Sequence, residues 1–290
     1  MHRGGTKFDR RGYTSAVVAV VVVFVSTCLA IDEQMGAREL VDRAMQAQVA
    51  AQHDTSRFEY LQNQLDKRVT RTYRIVESDA GDVEWMIAVN DRDLSPKQRE
   101  KEEQWLEKLL ADPTIQKDRE KNDAAENSRR QKIISVLGRA FLYDLEGTEN
   151  DGRIVRLHFR PNPQFHPDSR EAKVCAGLEE TMWIDQLNGR FTRAEGTLRR
   201  GVDFGWGLFG HLERGGHFAI EQTEVGPGMW RITDLDINFK GTMLLFKTLN
   251  ISVHEHSFKF YPVPNHLSLA DAVEKLRHEP SASSAEPMLP

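Results

Sequence analysis

Val69-Thr70-Arg71-Thr72-Tyr73-Arg74-Ile75-Val76 and Val83-Glu84-Trp85-Met86-Ile87-Ala88-Val89 are two runs rich in β-branched and aromatic residues, joined through Ser78-Asp79-Ala80-Gly81-Asp82. Successive side chains of an extended strand point to opposite faces, so period-2 runs flanking a cluster of turn formers predict a β-hairpin over Val69–Val76 and Val83–Val89. Upstream, from Glu33 to about Asp66, there is no proline and a single glycine, Gly36. Apolar residues recur there as Leu40, Val41, Ala44, Met45, Phe58, Leu61 and Leu65, the spacing of a long amphipathic helix. Downstream, Ser95-Pro96-Lys97-Gln98 combines an N-cap serine, proline at the first helical position and glutamine three residues on. A helix is expected to start there.

From Lys97 to Lys132 charges of both signs dominate, the apolar set thins to Trp105, Leu106, Leu109 and Leu110, and Pro113 breaks the run. This predicts a helical hairpin on the surface, acting either as a lid or docking arm or as a solvated connection between halves of a sheet. After Gly138 strands take over. Phe141, Tyr143 and Leu145 alternate, as do Val155, Leu157 and Phe159; Trp183–Asp185 and Phe191–Leu198 flank an Asn188-Gly189 turn; Phe218 and Ile220, Trp230 and Ile232, and Thr242–Tyr261 follow. Leu267–Leu276 reads as a short closing helix, and the Ser, Ala and Pro of residues 279–290 as a disordered tail. The expected fold class is α+β: one domain over residues 31–278, its antiparallel strands forming a meander or an open half-barrel whose concave face the long N-terminal helix covers, with residues 95–137 as a charged helical insertion.

The N-terminus differs from everything after it. His2, Arg3, Lys7, Arg10 and Arg11 precede an uninterrupted apolar run, Ala16–Val25, and Cys28-Leu29-Ala30 supplies small residues at a cleavage site. A signal peptide cut after Ala30 is expected, placing the protein in the periplasm or outside the cell; the apolar run is about half the ~20 residues a spanning helix needs. Alternative readings are a retained anchor, twin-arginine export through Arg10-Arg11, and lipidation at Cys28. Cleavage removes Cys28 and leaves Cys175, so no internal disulfide is expected and Cys175 reads as a small buried hydrophobe. The 290 residues are 39% hydrophobic and 29% charged, which permits a substantial core. A net charge of −5 excludes a general nucleic-acid binder, and Arg129-Arg130-Gln131-Lys132 and Arg199-Arg200 carry no interleaved aromatics.

Local features then carry a family likeness: Asn90-Asp91-Arg92-Asp93-Leu94-Ser95 before the charged helix, the Arg160-Pro161-Asn162-Pro163 corner, Met182-Trp183-Ile184-Asp185 followed by Arg190-Phe191, and Gly228-Met229-Trp230. With the order of elements, these resemble the LolA-like periplasmic lipoprotein carrier and sorting superfamily over roughly Arg38 to Pro264. The resemblance implies a curved antiparallel sheet around a helix, enclosing an apolar cavity for acyl chains. The function it implies is non-catalytic binding of a lipid or acylated protein, with transient membrane contact at most and no cofactor. The alternatives are a structural or protein-interaction module with a closed core, and an envelope hydrolase.

Gly205-Trp206-Gly207-Leu208-Phe209-Gly210 matches a dinucleotide-loop pattern and Asp203-Phe204-Gly205 a kinase triplet, but a strand follows where a helix is required. The segment reads instead as a glycine-rich bend in a curved sheet, and Trp206, Leu208 and Phe209 are its candidate cavity-lining residues. His254 and His256 fall on one face of a strand, with His211 and His217 as possible companions, but zinc needs three or four converging ligands; no metal is expected. No H-E-x-x-H, G-x-S-x-G or S-x-x-K pattern occurs.

Overall fold

The computed structural model describes residues 36–51, 54–205, 209–243 and 247–278. The proposed signal peptide, the tail from residue 279, Trp206 and Leu208 lie outside them.

The Val69–Val76 and Val83–Val89 hairpin forms with those bounds, as β2 and β3, paired in antiparallel register from Val76↔Val83 to Arg71↔Val89. The expected long helix does not form: α1 covers only Ala37–Ala51, and Arg57–Asp66 is a strand, β1. Tertiary context overrides the helical spacing. β1 lies between β2 and β13 (Lys247–Val263), so both of its edges are paired, with a bulge between Glu59 and Leu61 on the β13 side. Phe58 and Tyr60 project to one face, where both rings pack on Phe260, while Glu59 is buried on the other. Leu65, which completed the apparent helical stripe, is 42% exposed. β1 and β2 are joined at Lys67-Arg68, where Lys67 takes the left-handed backbone conformation at φ 58°.

A two-residue edge strand, β4 (Arg92–Asp93), leads into the helical hairpin. α2 (Pro96–Ala111) begins where its capping box predicts: the Ser95 N–H donates to Gln98 Oε1 at 2.9 Å and the Ser95 hydroxyl to the same oxygen at 2.6 Å. Asp112 separates it from α3 (Pro113–Ala140), accepting from the Thr114 N–H at 2.9 Å. The helical hairpin expected over Lys97–Lys132 forms but is not wholly on the surface, because Leu106 and Leu109 of α2 are buried, and α3 runs on past it to Ala140, with Ile133, Ile134, Val136, Leu137 and Ala140 as core residues. Their apolar spacing follows the charged stretch directly, with no break to flag the change.

The remaining elements are β5 (Phe141–Glu149), β6 (Ile154–Pro161), α4 (Arg170–Cys175), β7 (Leu178–Asp185), β8 (Arg190–Leu198), β9 (Val202–Phe204), β10 (Gly210–Leu212), β11 (His217–Gly226), β12 (Met229–Met243) and α5 (Leu269–Arg277). The strands form one antiparallel sheet in the order β4-β3-β2-β1-β13-β12-β11-β8-β7-β6-β5, open at β4 and β5, with β10 and β9 branching from the end of β12. Gly241 is required at that branch: a Cβ there would strike the backbone of His211 on β10.

The register assigns faces. On the first face, Leu157, Met182, Ala194, Ile220, Leu235 and Val253 lie strand to strand and form the main core with Leu40, Val41 and Ala44 of α1, the C-terminal end of α3, and α4. Cys175 is a free thiol buried in this core, its pKa pushed up to about 12 by burial. α1 therefore covers only the part of this face near β5 and β7, and shares the cover with α3. On the second face, α2 and α5 pack Leu106, Leu109, Val273 and Leu276 over Val76 and Val83. α3 joins the two layers: it leaves α2 on the second face, passes the β2–β3 turn, and ends in the core of the first. Among the described residues no helix is long and apolar enough to cross a membrane.

Candidate functional site

The main core does not run the length of the first face. A second apolar cluster, Phe58, Tyr60, Ile75, Val225 and Phe260, sits apart from it. Between them the register places a polar seam: Gln62 opposite Ser257, hydrogen-bonded through Nε2 to Oγ at 3.1 Å, and Gln64 opposite Glu255. Glu84 is on the same face, paired with Ile75, which in turn pairs with Tyr60. The Tyr60 hydroxyl reaches Asp82 Oδ2 at 3.4 Å.

Carboxylates crowd this phenol. Burial, reinforced by Asp82, Glu77, Glu84 and Glu255, drives the Tyr60 pKa well above its usual value. Partial desolvation of its carboxyl, followed by the charges of Glu77 and Glu84, raises Asp82 from its usual value although the residue as a whole is exposed, and burial plus Glu84 raises Glu255 to about 7. The cations come from α3. Arg119 Nη2 donates to the carbonyls of Ala80 at 3.3 Å and Asp82 at 2.9 Å, and Arg130, with its Nε buried and unbonded, lies in the field of Asp82 and Glu126. Carboxyls held near neutrality in a partly desolvated setting can donate or accept hydrogen bonds at physiological pH, as ligand-binding and proton-handling sites require.

Arg231 of β12 anchors the neighbouring rim. Its Nε meets Glu77 Oε1 at 2.9 Å, its Nη1 meets Asp54 Oδ2 at 3.3 Å, its Nη2 donates to the Ser56 carbonyl at 2.9 Å, and the guanidinium lies 4.8 Å from the Phe58 ring centroid. Every polar atom of the group has a partner that the fold also uses, which marks it as structural.

The residues singled out from sequence are not brought to this seam. Phe209, at the start of β10, is 62% exposed and covers Gly205. His254 and His256 lie on the second face in an open groove of about 360 Å³. Each pairs across to β12, His254 Nδ1 to Asp236 Oδ2 at 3.2 Å and His256 Nδ1 to Asp234 Oδ1 at 2.7 Å. His217 lies 3.7 Å from Asp236, and His211 bonds Asp203 at 2.8 Å on the separate β9–β10 branch. Among the described residues no three or more His, Cys, Asp or Glu converge to hold a metal. Glu255, between the two histidines in sequence, points the opposite way and belongs to the seam. Period 2 applied to His254-Glu255-His256 carries that information, but it gains meaning only once the opposite face is known to be covered.

Fold and seam together define an α+β protein built on a single open antiparallel sheet with a half-buried acidic seam. Scans against protein-family models, curated proteins and solved structures find no match.

Proposed function

We propose that the protein is a non-catalytic binding protein of the cell envelope, released by cleavage near Ala30, which takes an apolar or acyl-bearing ligand between the helices and a half-barrel-like sheet. One observation carries the reading: the first face of the open sheet is apolar, yet its core is divided by the carboxyl-bearing seam. That pattern supplies an apolar floor beside groups able to hydrogen-bond a ligand's polar end, the combination ligand sites use. The LolA-like resemblance supports the same class of ligand. Phe209, exposed on the β9–β10 branch, is the apolar tip offered to a ligand or membrane surface.

Native mass spectrometry of protein purified from a periplasmic extract, followed by solvent extraction, tests this. A discrete added mass that extracts as a phospholipid or acylated species is expected, and Phe209→Asp reports whether the tip takes part in loading. An unladen protein that also fails to bind fluorescent fatty acids would leave the protein-interaction reading in its place.

A further inference from the structure

The register of β12 and β13 sets three polar side chains in line on the second face. Asp236 lies directly opposite His254 and Asn238 directly opposite Ser252, and period 2 puts all four on one side of the sheet. His254 Nε2 is 3.3 Å from the Ser252 hydroxyl, and its Nδ1 is 3.2 Å from Asp236 Oδ2. A hydroxyl, an imidazole and a carboxylate in that order, each meeting the ring at its own nitrogen, are the parts of a serine nucleophile with its base. A carboxylate at Nδ1 selects the tautomer that leaves Nε2 free to accept the hydroxyl proton. The other pairs lack the first member: among the described residues neither His256, on Asp234 at 2.7 Å, nor His211, on Asp203 at 2.8 Å, has a hydroxyl at its second nitrogen. Ser252 is exposed and open to a substrate. Asn238 makes no side-chain hydrogen bond among the described residues, and directly opposed Cβ atoms lie about 4.5–5.5 Å apart, which brings its amide within reach of an oxyanion formed at Ser252. His217, opposite Asn238 on β11, approaches Asp236 Oδ1 at 3.7 Å and flanks the carboxylate on its other side.

We propose that Ser252, His254 and Asp236 form a nucleophilic site that hydrolyses uncharged carboxylic esters. The non-catalytic binding reading concerns the first face; this site is on the second, and either can fail without the other. Ser252 Oγ adds to the ester carbonyl as its proton passes to His254 Nε2, and Asn238 Nδ2 donates to the oxyanion that forms. The adduct collapses, the bond from the acyl carbon to the alcohol oxygen breaks, and His254 returns the proton to the departing alkoxide. Water then adds to the acyl group on Ser252, giving a proton to His254, which passes it to Ser252 Oγ as the acid leaves. One ester and one water are consumed, and one acid and one alcohol are formed. Asp236 touches no reacting atom and is a positioning residue. The open groove of about 360 Å³ beside His254 receives the body of the ester against Leu65 and Ala219, and Glu221 and Asp234 on its walls repel an anionic one.

A fluorophosphonate, which reacts with an activated serine hydroxyl, tests the site in the unaltered protein: peptide mass mapping should place one adduct, on Ser252. His254→Ala should slow that labelling about a hundredfold or more, the share a general base supplies. Asp236→Asn should slow it about tenfold and Asp236→Glu recover part of the loss, while His256→Ala, which touches a pair without a hydroxyl, should leave it within about twofold. Turnover is read with p-nitrophenyl butyrate. Exposed imidazoles cleave activated esters unaided, so the rate belongs to the site only where Ser252→Ala removes it. Neither Ser252 nor His254 is part of an apolar core cluster, so both variants keep the fold. No adduct on Ser252, labelling of Ser252 at an unchanged rate in His254→Ala, or hydrolysis that survives Ser252→Ala overturns the proposal.

Discussion

Asp185 shows how much one carboxylate organises. It is 1% exposed at the end of β7, and it accepts from the N–H groups of Leu187 and Asn188 at 2.9 and 3.1 Å, from Asn188 Nδ2 at 3.1 Å, and from Arg153 Nη2 at 2.7 Å. Burial alone would raise its pKa; the hydrogen bonds from Arg153, Asn188 and Leu187 more than offset this and hold it below the usual carboxylate value. Truncating it leaves part-buried donors without an acceptor and lets the β7–β8 turn open. Asp185→Ala is expected to cost about 2–3 kcal/mol, and Asp185→Asn, which keeps one acceptor oxygen, less than half of that, as read from urea midpoints. Because the folded pKa is depressed, the contribution of Asp185 is present above pH 3.8 and is lost as the solution is acidified below it.

Among the elements, α5 packs Val273 and Leu276 over Val76 of β2, and one side chain, Arg74, ties its last turn to the same strand. Arg74, buried, bonds Glu59 Oε1 through Nε at 2.6 Å and sends Nη1 to the carbonyls of Leu276 and His278 at 3.1 and 2.6 Å, while Lys275 Nζ closes on Glu59 at 3.1 Å. Arg74→Ala leaves the buried Glu59 carboxylate with Lys275 alone and strips the last turn of α5 of its donors. A loss of about 3–5 kcal/mol is expected, with α5 becoming the first site of limited proteolysis. Glu59→Gln in the same background should recover part of the loss; no recovery would show that the helix carbonyls, and not the ion pair, carry the energy. Elements also mark the limit of what a sequence shows. β2, β3, α2 and the turn before β8 carry local signals of alternation, capping and Asn-Gly, and form where those signals lie. β1 carries a misleading local signal, since both of its faces are covered and its burial does not alternate cleanly. The seam was illegible for a related reason: Tyr60, Asp82, Glu84 and Glu255 are scattered through the chain, and each is ordinary until the sheet brings strand 13 beside strand 1.

For the whole molecule, opposed groups of carboxyls set the response to pH. Asp54 and Asp185 are depressed and favour the fold above about pH 4; Asp82 and Glu255 are raised and withdraw stability as pH climbs from about 4 to about 7. Conformational stability should therefore peak on the acid side of neutrality. Denaturant midpoints at pH 5 are expected to exceed those at pH 7.5, and Asp82→Asn combined with Glu255→Gln should remove most of the difference. A midpoint that rises steadily toward pH 7.5 in the unaltered protein would show that the acidic seam is solvated well enough to ionise freely.

The placement of β13 beside β1 has a temporal consequence. Arg57 pairs with Val263, so the middle of the sheet joins the first and last strands among the described residues. The β1–β4 portion and the β5–β12 portion can each collapse early, but each then presents a bare edge until β13 arrives. Contacts so distant along the chain incur a large loop-closure entropy before they give anything back, and they make the arrival of β13 the slow step. The molecule is thus open to wrong partners for as long as it is incomplete, and a chaperone that shields the free edge of β1 would have most to protect.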